Sequence, residues 1–298
     1  MIGGTGFLGT AIVRELARRP ASADYCFTLP TRRRERARHL LVLPTVRVVD
    51  ADVHDPATLA WLMVGQDAVI SLVGILKGGE GKPYGKGFAR AHVELPQKIA
   101  AAAKAAGVRR VLHVSALKAA PDAPSGYLCS KAAGEAALRD AGLDLTLFRP
   151  SVIFGPDDSF LTLFARMAKI APFFPLAGAE ARFQPVWVED VAAAVADSLQ
   201  RADSIGAAYD LGGPTQYSLR QLVSYAAAIS GHPRVVIGLP EAVAWLQAWA
   251  MEFIPNGPMT RDNIRSMRVA SVCDTGRTLP FGRVATPLEI VAPTYLRS

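Results

Sequence analysis

A chain of 298 residues, 50% hydrophobic and 20% charged, is long enough for a substantial core and too long for one minimal domain. Its net charge of +7 brings nucleic acid to mind, but the arginines fall on helix faces between alanines without interleaved aromatics, which argues against that class. The three cysteines and five histidines show no disulfide or metal-ligand spacing, no apolar run reaches the roughly 18 residues of a membrane span, and no signal peptide leads the chain. A metal-free cytoplasmic protein is expected, at most peripheral on the inner face of a membrane.

The first readable element is a glycine turn, Gly3-Gly4-Thr5-Gly6-Phe7-Leu8-Gly9, running into a helical pattern from Thr10 to Arg19. Its glycines fit two registers, Gly4/Gly6/Gly9 and Gly3/Gly6/Gly9. Either one permits a sharp turn, close approach of backbone to a pyrophosphate, and tight helix packing, with free N–H groups and the helix dipole facing the phosphates. Such a turn normally follows a buried central strand of about five or six apolar residues, and here only Met1 and Ile2 precede it. The natural product is therefore expected to begin about ten residues upstream, with an apolar β-branched segment ending at Ile2.

Further along, Tyr25 to Leu29, Val46 to Val49, Asp67 to Gly74, Val111 to Ser115 and Leu143 to Phe148 read as strands. Between them lie an alanine-rich helix from Ala91 to Ala106, closed by Gly107, and a helix from Lys131 to Ala141. Strand candidates at Pro185 to Val188 and Ala208 to Leu211 flank one more helix. The alternation predicts an α/β fold with a doubly wound parallel sheet, its first strand truncated. Residues 1–155 are expected to form the nucleotide-binding unit, with 186–212 returning to it, and residues 156–298 mainly a smaller substrate or partner lobe. Leu239 to Ile254 is apolar nearly all round, which predicts a buried or partner-docking helix, or else one lying in a membrane interface.

Tyr127 and Lys131 stand four apart just after the strand that ends in Ser115. On a helix they share one face, and an ammonium beside a phenol lowers the phenol's pKa, giving a group able to exchange a proton at neutral pH. Together with the glycine turn, this pair resembles the short-chain dehydrogenase/reductase superfamily, in its extended or atypical branch with a C-terminal substrate lobe. Asp52-Val53, Arg149-Pro-Ser-Val-Ile-Phe-Gly-Pro156, Val186-Trp-Val-Glu-Asp-Val-Ala192 and Tyr209-Asp-Leu-Gly-Gly213 extend the likeness in the right order. Thr31-Arg-Arg-Arg34, Asp50 to Pro56, Ser71 to Leu76, Val114 to Lys118 and Pro293 to Leu296 are similar to the group around the nucleotide-binding accessory subunit of respiratory complex I and its bacterial relatives.

The resemblance implies catalytic roles for Tyr127, Lys131 and Ser115, with Ala116 taking the last place if the register is offset by one. It implies a nucleotide held by Gly3, Thr5, Gly6, Phe7, Leu8 and Gly9, by Asp52 and Val53, by Val73 and Gly74, by Lys131, and by Pro150, Ser151 and Val152. At the end of the second strand, where an NAD site carries a carboxylate, this chain has Arg32, Arg33 and Arg34. Guanidinium groups bind phosphate bidentately, so NADP(H) is the preferred cofactor and NAD(H) the lesser alternative. The expected function is an NADP(H)-dependent oxidoreductase linked to quinone or respiratory-chain metabolism, acting on a quinone or carbonyl compound. Its rival is a non-catalytic NADPH-binding accessory or assembly subunit of a respiratory complex.

Overall fold

The computed structural model describes residues 1–19, 25–254, 257, 259–274 and 279–297, with the Arg36 side chain left out. After the glycine turn, α1 (Phe7–Ala17) leads to β1 (Phe27–Thr31), a 3₁₀ stretch (Arg34–Leu40), β2 (Val46–Asp50), α2 (Pro56–Met63) and β3 (Ala68–Ser71). A helical turn α3 (Lys86–Phe88) continues through a π-helical stretch (Ala89–Glu94) into α4 (Leu95–Ala105), which Gly107 ends at φ +74°. β4 (Arg110–Val114), α5 (Gly126–Asp140) and β5 (Asp144–Pro150) complete the regular alternation.

The parallel strands run β10-β5-β4-β3 on one side and β1-β2 on the other, where β10 is Ala208–Leu211. Met1 and Ile2 join the two halves. Ile2 N donates to Ile70 O at 2.8 Å, Leu72 N donates to Ile2 O at 2.9 Å, and the Met1 ammonium reaches Thr28 O at 2.8 Å. Successive residues of each central strand face opposite cores, as a sheet covered on both faces requires. Ile70, Leu112 and Phe148 join Ile12 and Leu16 of α1 and Val195 of α7 (Val188–Leu199), while Val69, Val111 and Leu147 join Leu59, Leu95, Ile99 and Leu138. Each fully buried aliphatic side chain contributes about 1.5–3 kcal/mol, which fixes α1 and α5 on opposite faces of the sheet.

The remaining elements build three two-stranded sheets. β6 (Ile153–Phe154) pairs with β9 (Val186–Trp187), β7 (Phe173–Leu176) with β12 (Val235–Gly238), and β8 (Arg182–Phe183) with β11 (Tyr217–Ser218). Around them pack α6 (Leu161–Ala168), α8 (Leu219–Ile229), α9 (Glu241–Glu252), α10 (Arg261–Ser266), α11 (Leu288–Val291) and α12 (Pro293–Leu296). The Pro293 to Leu296 motif is structural. Tyr295 Oη donates to Asp158 Oδ2 at 3.0 Å, and Asp158 accepts the amides of Gly155, Phe160 and Thr162.

Of the alternatives expected for 239–254, the buried helix is not what forms, while the partner-docking and interfacial ones stay open. Within α9 only Ala244 and Ala248 are buried, while Val243, Leu246 and Trp249 are exposed, as is Phe253 just past the helix. Ala244, Ala248 and the partly buried Trp245 face the body of the protein, and the other large apolar side chains are largely exposed. Among the described residues no helix is long and apolar enough to cross a membrane.

Candidate functional site

The glycines of the opening turn are there for space as well as conformation. Gly3 takes φ +82°, a region costly for other residues. At Gly9 a Cβ would stand 2.5 Å from Gly4 Cα, so α1 packs directly on the turn. Gly6 is the N-cap of α1, where a Cβ would meet only Gly3 O at 3.3 Å and otherwise open space. No capping side chain occupies the first amides of the helix, leaving them available to an anion. Thr5 and Leu8 are partly buried beside it, and Phe7 comes against the segment after β5, since a Cβ at Gly155 would lie 3.3 Å from Phe7 Cζ.

Arg32 and Arg33 are exposed at the end of β1, without ion pairs among the described residues, and Arg33 N donates to Thr31 Oγ1 at 3.2 Å. At the end of β2, Asp52 accepts the His54 amide at 3.0 Å, holding its own turn, and Val53 packs on the core side. Lys98 Nζ donates to His54 O at 2.8 Å, and Arg90, Lys98 and Arg32 all add positive charge that, after burial, lowers the His54 pKa. This end of the cleft is basic.

Helix α5 starts five residues earlier than the sequence pattern suggests, and so includes both chemistry-bearing residues. Its N-terminus is doubly capped. Ser125 Oγ accepts the Leu128 amide at 3.2 Å, and the buried Asp262 of α10 accepts the amides of Gly126 and Tyr127 at 2.8 and 3.0 Å. A carboxylate at this position is favoured by the helix dipole. No local pattern could reveal Asp262, which lies 136 residues from Gly126.

Lys131 is 3% exposed; its Nζ donates to Val114 O at 3.0 Å and Val73 O at 3.5 Å, and a Cβ at Gly74 would lie 3.6 Å from it. One ammonium thus gathers the ends of β3 and β4 onto α5. Burial lowers its pKa to about 8, against the opposing pull of Glu135 one turn on. The lowered phenol pKa expected for Tyr127 is not found: burial pushes it up to about 12. Lys131 spends its donors on two carbonyls, and Tyr127 stands edge-on to Phe88 and His92 with ring centroids 6.1 and 5.6 Å away. The phenol oxygen has no hydrogen-bond partner among the described residues, so a neutral phenol is the resting form.

Ser115, next after β4, is buried and its hydroxyl has no hydrogen-bond partner among the described residues, so that it is free to meet a ligand. Ala116 is also buried. Pro150 O accepts the Leu117 amide at 3.0 Å and Val152 O the Val186 amide at 3.0 Å, but the Ser151 hydroxyl is engaged by Ser271, donating to its carbonyl at 2.7 Å. Open glycine backbone, a free helix N-terminus, a basic rim and the buried lysine together fit a nicotinamide nucleotide.

A cavity of about 350 Å³ is lined by Lys77, Gly78, Gly79, Glu80, Phe88, Glu252, Ile254, Thr260 and Asp262, of which Phe88 packs against the Tyr127 ring and Asp262 accepts its backbone amide. Its charged walls are internally paired, Arg265 with Glu80 at 2.8 Å and Arg261 with Glu252 at 2.9 Å. Sequence reasoning missed this wall, along with Phe88 and His92, because it joins the loop after β3 to the distant α9–α10 turn.

The sequence pattern of the NAD(P)H-binding family matches residues 3–202. Over 307 aligned residues the chain is 30% identical to the rat (Rattus norvegicus) mitochondrial NADH dehydrogenase [ubiquinone] 1 alpha subcomplex subunit 9, covering 100% of this chain and 79% of that protein. It is 34% identical over 191 residues to a ceramide reductase of Caulobacter vibrioides, covering 64% of this chain and 57% of that one. In three dimensions an NADPH-dependent quinone oxidoreductase of Escherichia coli, solved with NADPH, superposes with a TM-score of 0.76 at 24% identity, covering 99% of this chain and 98% of that one. A nucleoside-diphosphate-sugar epimerase of Staphylococcus aureus has the same fold, with a TM-score of 0.75 at 17% identity. The chain therefore belongs to the NAD(P)H-binding family, is related to that respiratory-complex subunit, is similar to the bacterial ceramide reductase, and shares its fold with the quinone oxidoreductase and the sugar-nucleotide epimerase.

Proposed function

We propose that this protein is an NADP(H)-dependent oxidoreductase that reduces a carbonyl or quinone oxygen. The observation that carries the reading is the Tyr127–Lys131 pair on one face of α5, its lysine anchored on the carbonyls of Val73 and Val114 and its phenol, without a hydrogen-bond partner among the described residues, packed against Phe88, which lines a cavity of about 350 Å³. When bound, the nicotinamide supplies the hydride. Tyr127 begins as a neutral phenol and gives its proton to the oxygen that becomes negative. A phenol held at about 12 is a weak acid, yet the alkoxide developing on a reduced carbonyl is more basic still, so with a carbonyl substrate the transfer runs downhill in the direction of reduction. Lys131, its ammonium on the carbonyls of Val73 and Val114, holds the ends of β3 and β4 against α5, while the Ser115 hydroxyl orients the substrate oxygen. Arg32 and Arg33 are the residues we assign to the 2′-phosphate that separates NADP(H) from NAD(H).

A second reading, an NADPH-binding subunit that docks on a respiratory complex without turnover, is supported by the exposed apolar row of α9 and by the likeness to the rat subunit. One experiment separates them. Mass spectrometry identifies the nucleotide that co-purifies with the protein, and a screen of quinones and carbonyl compounds follows the oxidation of that nucleotide. NADPH oxidised by some member of the screen supports the first reading; NADPH retained and unoxidised throughout moves the assignment to the second.

A further inference from the structure

His92 lies in the π-helical stretch between α3 and α4, 1% exposed. Such stretches are rare and often sit at functional sites, because the extra residue turns a side chain inward that an α-helix would place elsewhere. Gly134 on α5 makes room for it, since a Cβ there would overlap the His92 carbonyl.

Nε2 of His92 accepts the Ile75 amide at 3.0 Å. A backbone N–H can only donate, so the proton of the neutral ring is on Nδ1, and Nδ1–H donates to Ser130 Oγ at 2.9 Å. Ser130 Oγ in turn donates to the Tyr127 carbonyl at 2.7 Å. Burial, then the Lys131 charge, lower the His92 pKa to about 3, which keeps the ring neutral and the direction of the chain fixed. The same imidazole stacks on Phe88 and meets the Tyr127 ring edge-on, both at 5.6 Å.

We infer that His92 is a positioning residue that couples the loop after β3 to Tyr127, so that a ligand's contact with the loop resets the placement of the phenol. The inference rests on the reading of Tyr127 as the proton donor. Two edges of the loop face the site: Val73 O and Gly74 lie against Lys131, and Lys77 to Glu80 form a wall of the cavity. Ile75 lies between them, and its amide is the point at which a shift of the loop enters the hydrogen-bonded chain. A hydroxyl bonded to its own helix is common, so Ser130 alone would mean little. The link from Ser130 through a buried imidazole to a separate loop is what local helix bonding does not supply.

The test uses the full chain carrying isotope-labelled tyrosine, with the Tyr127 signal assigned by its loss in Tyr127→Phe. NADPH is titrated into the wild type, Ser130→Ala, His92→Gln and the double variant. Ser130→Ala removes one hydroxyl and leaves both rings in place, so it reports even where a His92 replacement fails to fold. The NADPH-induced shift of the Tyr127 signal should fall by about half or more in either single variant, with no further loss in the double one, while NADPH affinity stays within about twofold. In turnover, kcat should fall about tenfold at unchanged KM for NADPH. A wild-type signal that does not move with NADPH, an undiminished shift in Ser130→Ala, or additive losses in the double variant would overturn the inference. Absence of turnover in the wild type would count against the oxidoreductase reading alone, because the shift is read without turnover.

Discussion

Two alanine substitutions in one turn should have opposite signatures. In Gly9→Ala the new Cβ stands 2.5 Å from Gly4 Cα and Gly4 O, where ordinary contacts begin near 3.4 Å, so helix and turn must separate by nearly an ångström. Helix α1 cannot simply retreat, because Ile12, Val13 and Leu16 are fully buried against the sheet and α7. Overpacking of this kind costs about 1–3 kcal/mol, and the reduced freedom of the unfolded chain returns about 0.4–1 kcal/mol, for a net loss of about 1–2 kcal/mol. Gly6→Ala meets only Gly3 O at 3.3 Å, at an extended φ of −82° and ψ of −179°, so its stability should stay within about 0.5 kcal/mol of wild type. Yet its methyl group occupies the space where a pyrophosphate approaches the backbone.

Urea unfolding and NADPH fluorescence titration, run on both variants, read the two effects separately. Gly9→Ala should lose stability and affinity together; Gly6→Ala should keep its urea midpoint and bind NADPH at least about tenfold more weakly, about 1.4 kcal/mol. A Gly6→Ala protein that binds NADPH as tightly as wild type would refute the placement of the phosphates at this turn.

The other predictions concern the rim, the lysine and the cap. Arg32→Ala combined with Arg33→Ala should weaken NADPH by about tenfold or more and leave NADH nearly unchanged, the difference shrinking at high salt because both side chains are exposed; equal losses for the two cofactors would sink the assignment. Lys131 is protonated up to about pH 8 in the folded chain and up to about 10.5 in the unfolded one, so between these values unfolding takes up a proton and stability rises with pH. Lys131→Met should therefore be the more stable protein at neutral pH, by up to about 3 kcal/mol, with the gap closing as pH climbs to 10.5, and should bind the cofactor poorly. A pH-independent difference between the two proteins would contradict it. Asp262→Ala removes one of the two caps of α5 and should cost about 1–2 kcal/mol in chemical denaturation together with a loss of turnover, whereas Asp262→Asn, which keeps one acceptor, should recover part of both.

Much of the fold was legible because it is written locally. The βα alternation, the glycine turn and the pair four apart on α5 each depend on residues near in sequence, and the parallel sheet with both faces covered follows from them. The strand after α1 was read two residues early, since Tyr25 and Cys26 look like strand residues although pairing begins at Phe27. The helix now seen from Gly126 was begun too late although its N-cap, Ser125, is a local signal; only the second cap, Asp262, lies beyond the reach of the sequence pattern. His92 was invisible for a related reason: its inward turn depends on a π-helical stretch that leaves no periodic signature. In α9 the apolar count left burial and partner docking both open, and burial failed because the packed face is Ala244, Ala248 and a partly buried Trp245 while Val243, Leu246 and Trp249 are exposed.

The account rests on Tyr127 giving up a proton as hydride leaves the nicotinamide. The most direct measurement is a single turnover: protein loaded with one equivalent of NADPH is mixed with each quinone or carbonyl acceptor, and the decay of the reduced nicotinamide absorbance is followed for wild type and Tyr127→Phe. With at least one acceptor the wild type should oxidise its NADPH, and Tyr127→Phe, with cofactor affinity intact, should do so at least about a hundredfold more slowly. Equal rates in the two proteins, or NADPH that stays reduced in the wild type with every acceptor, would contradict it.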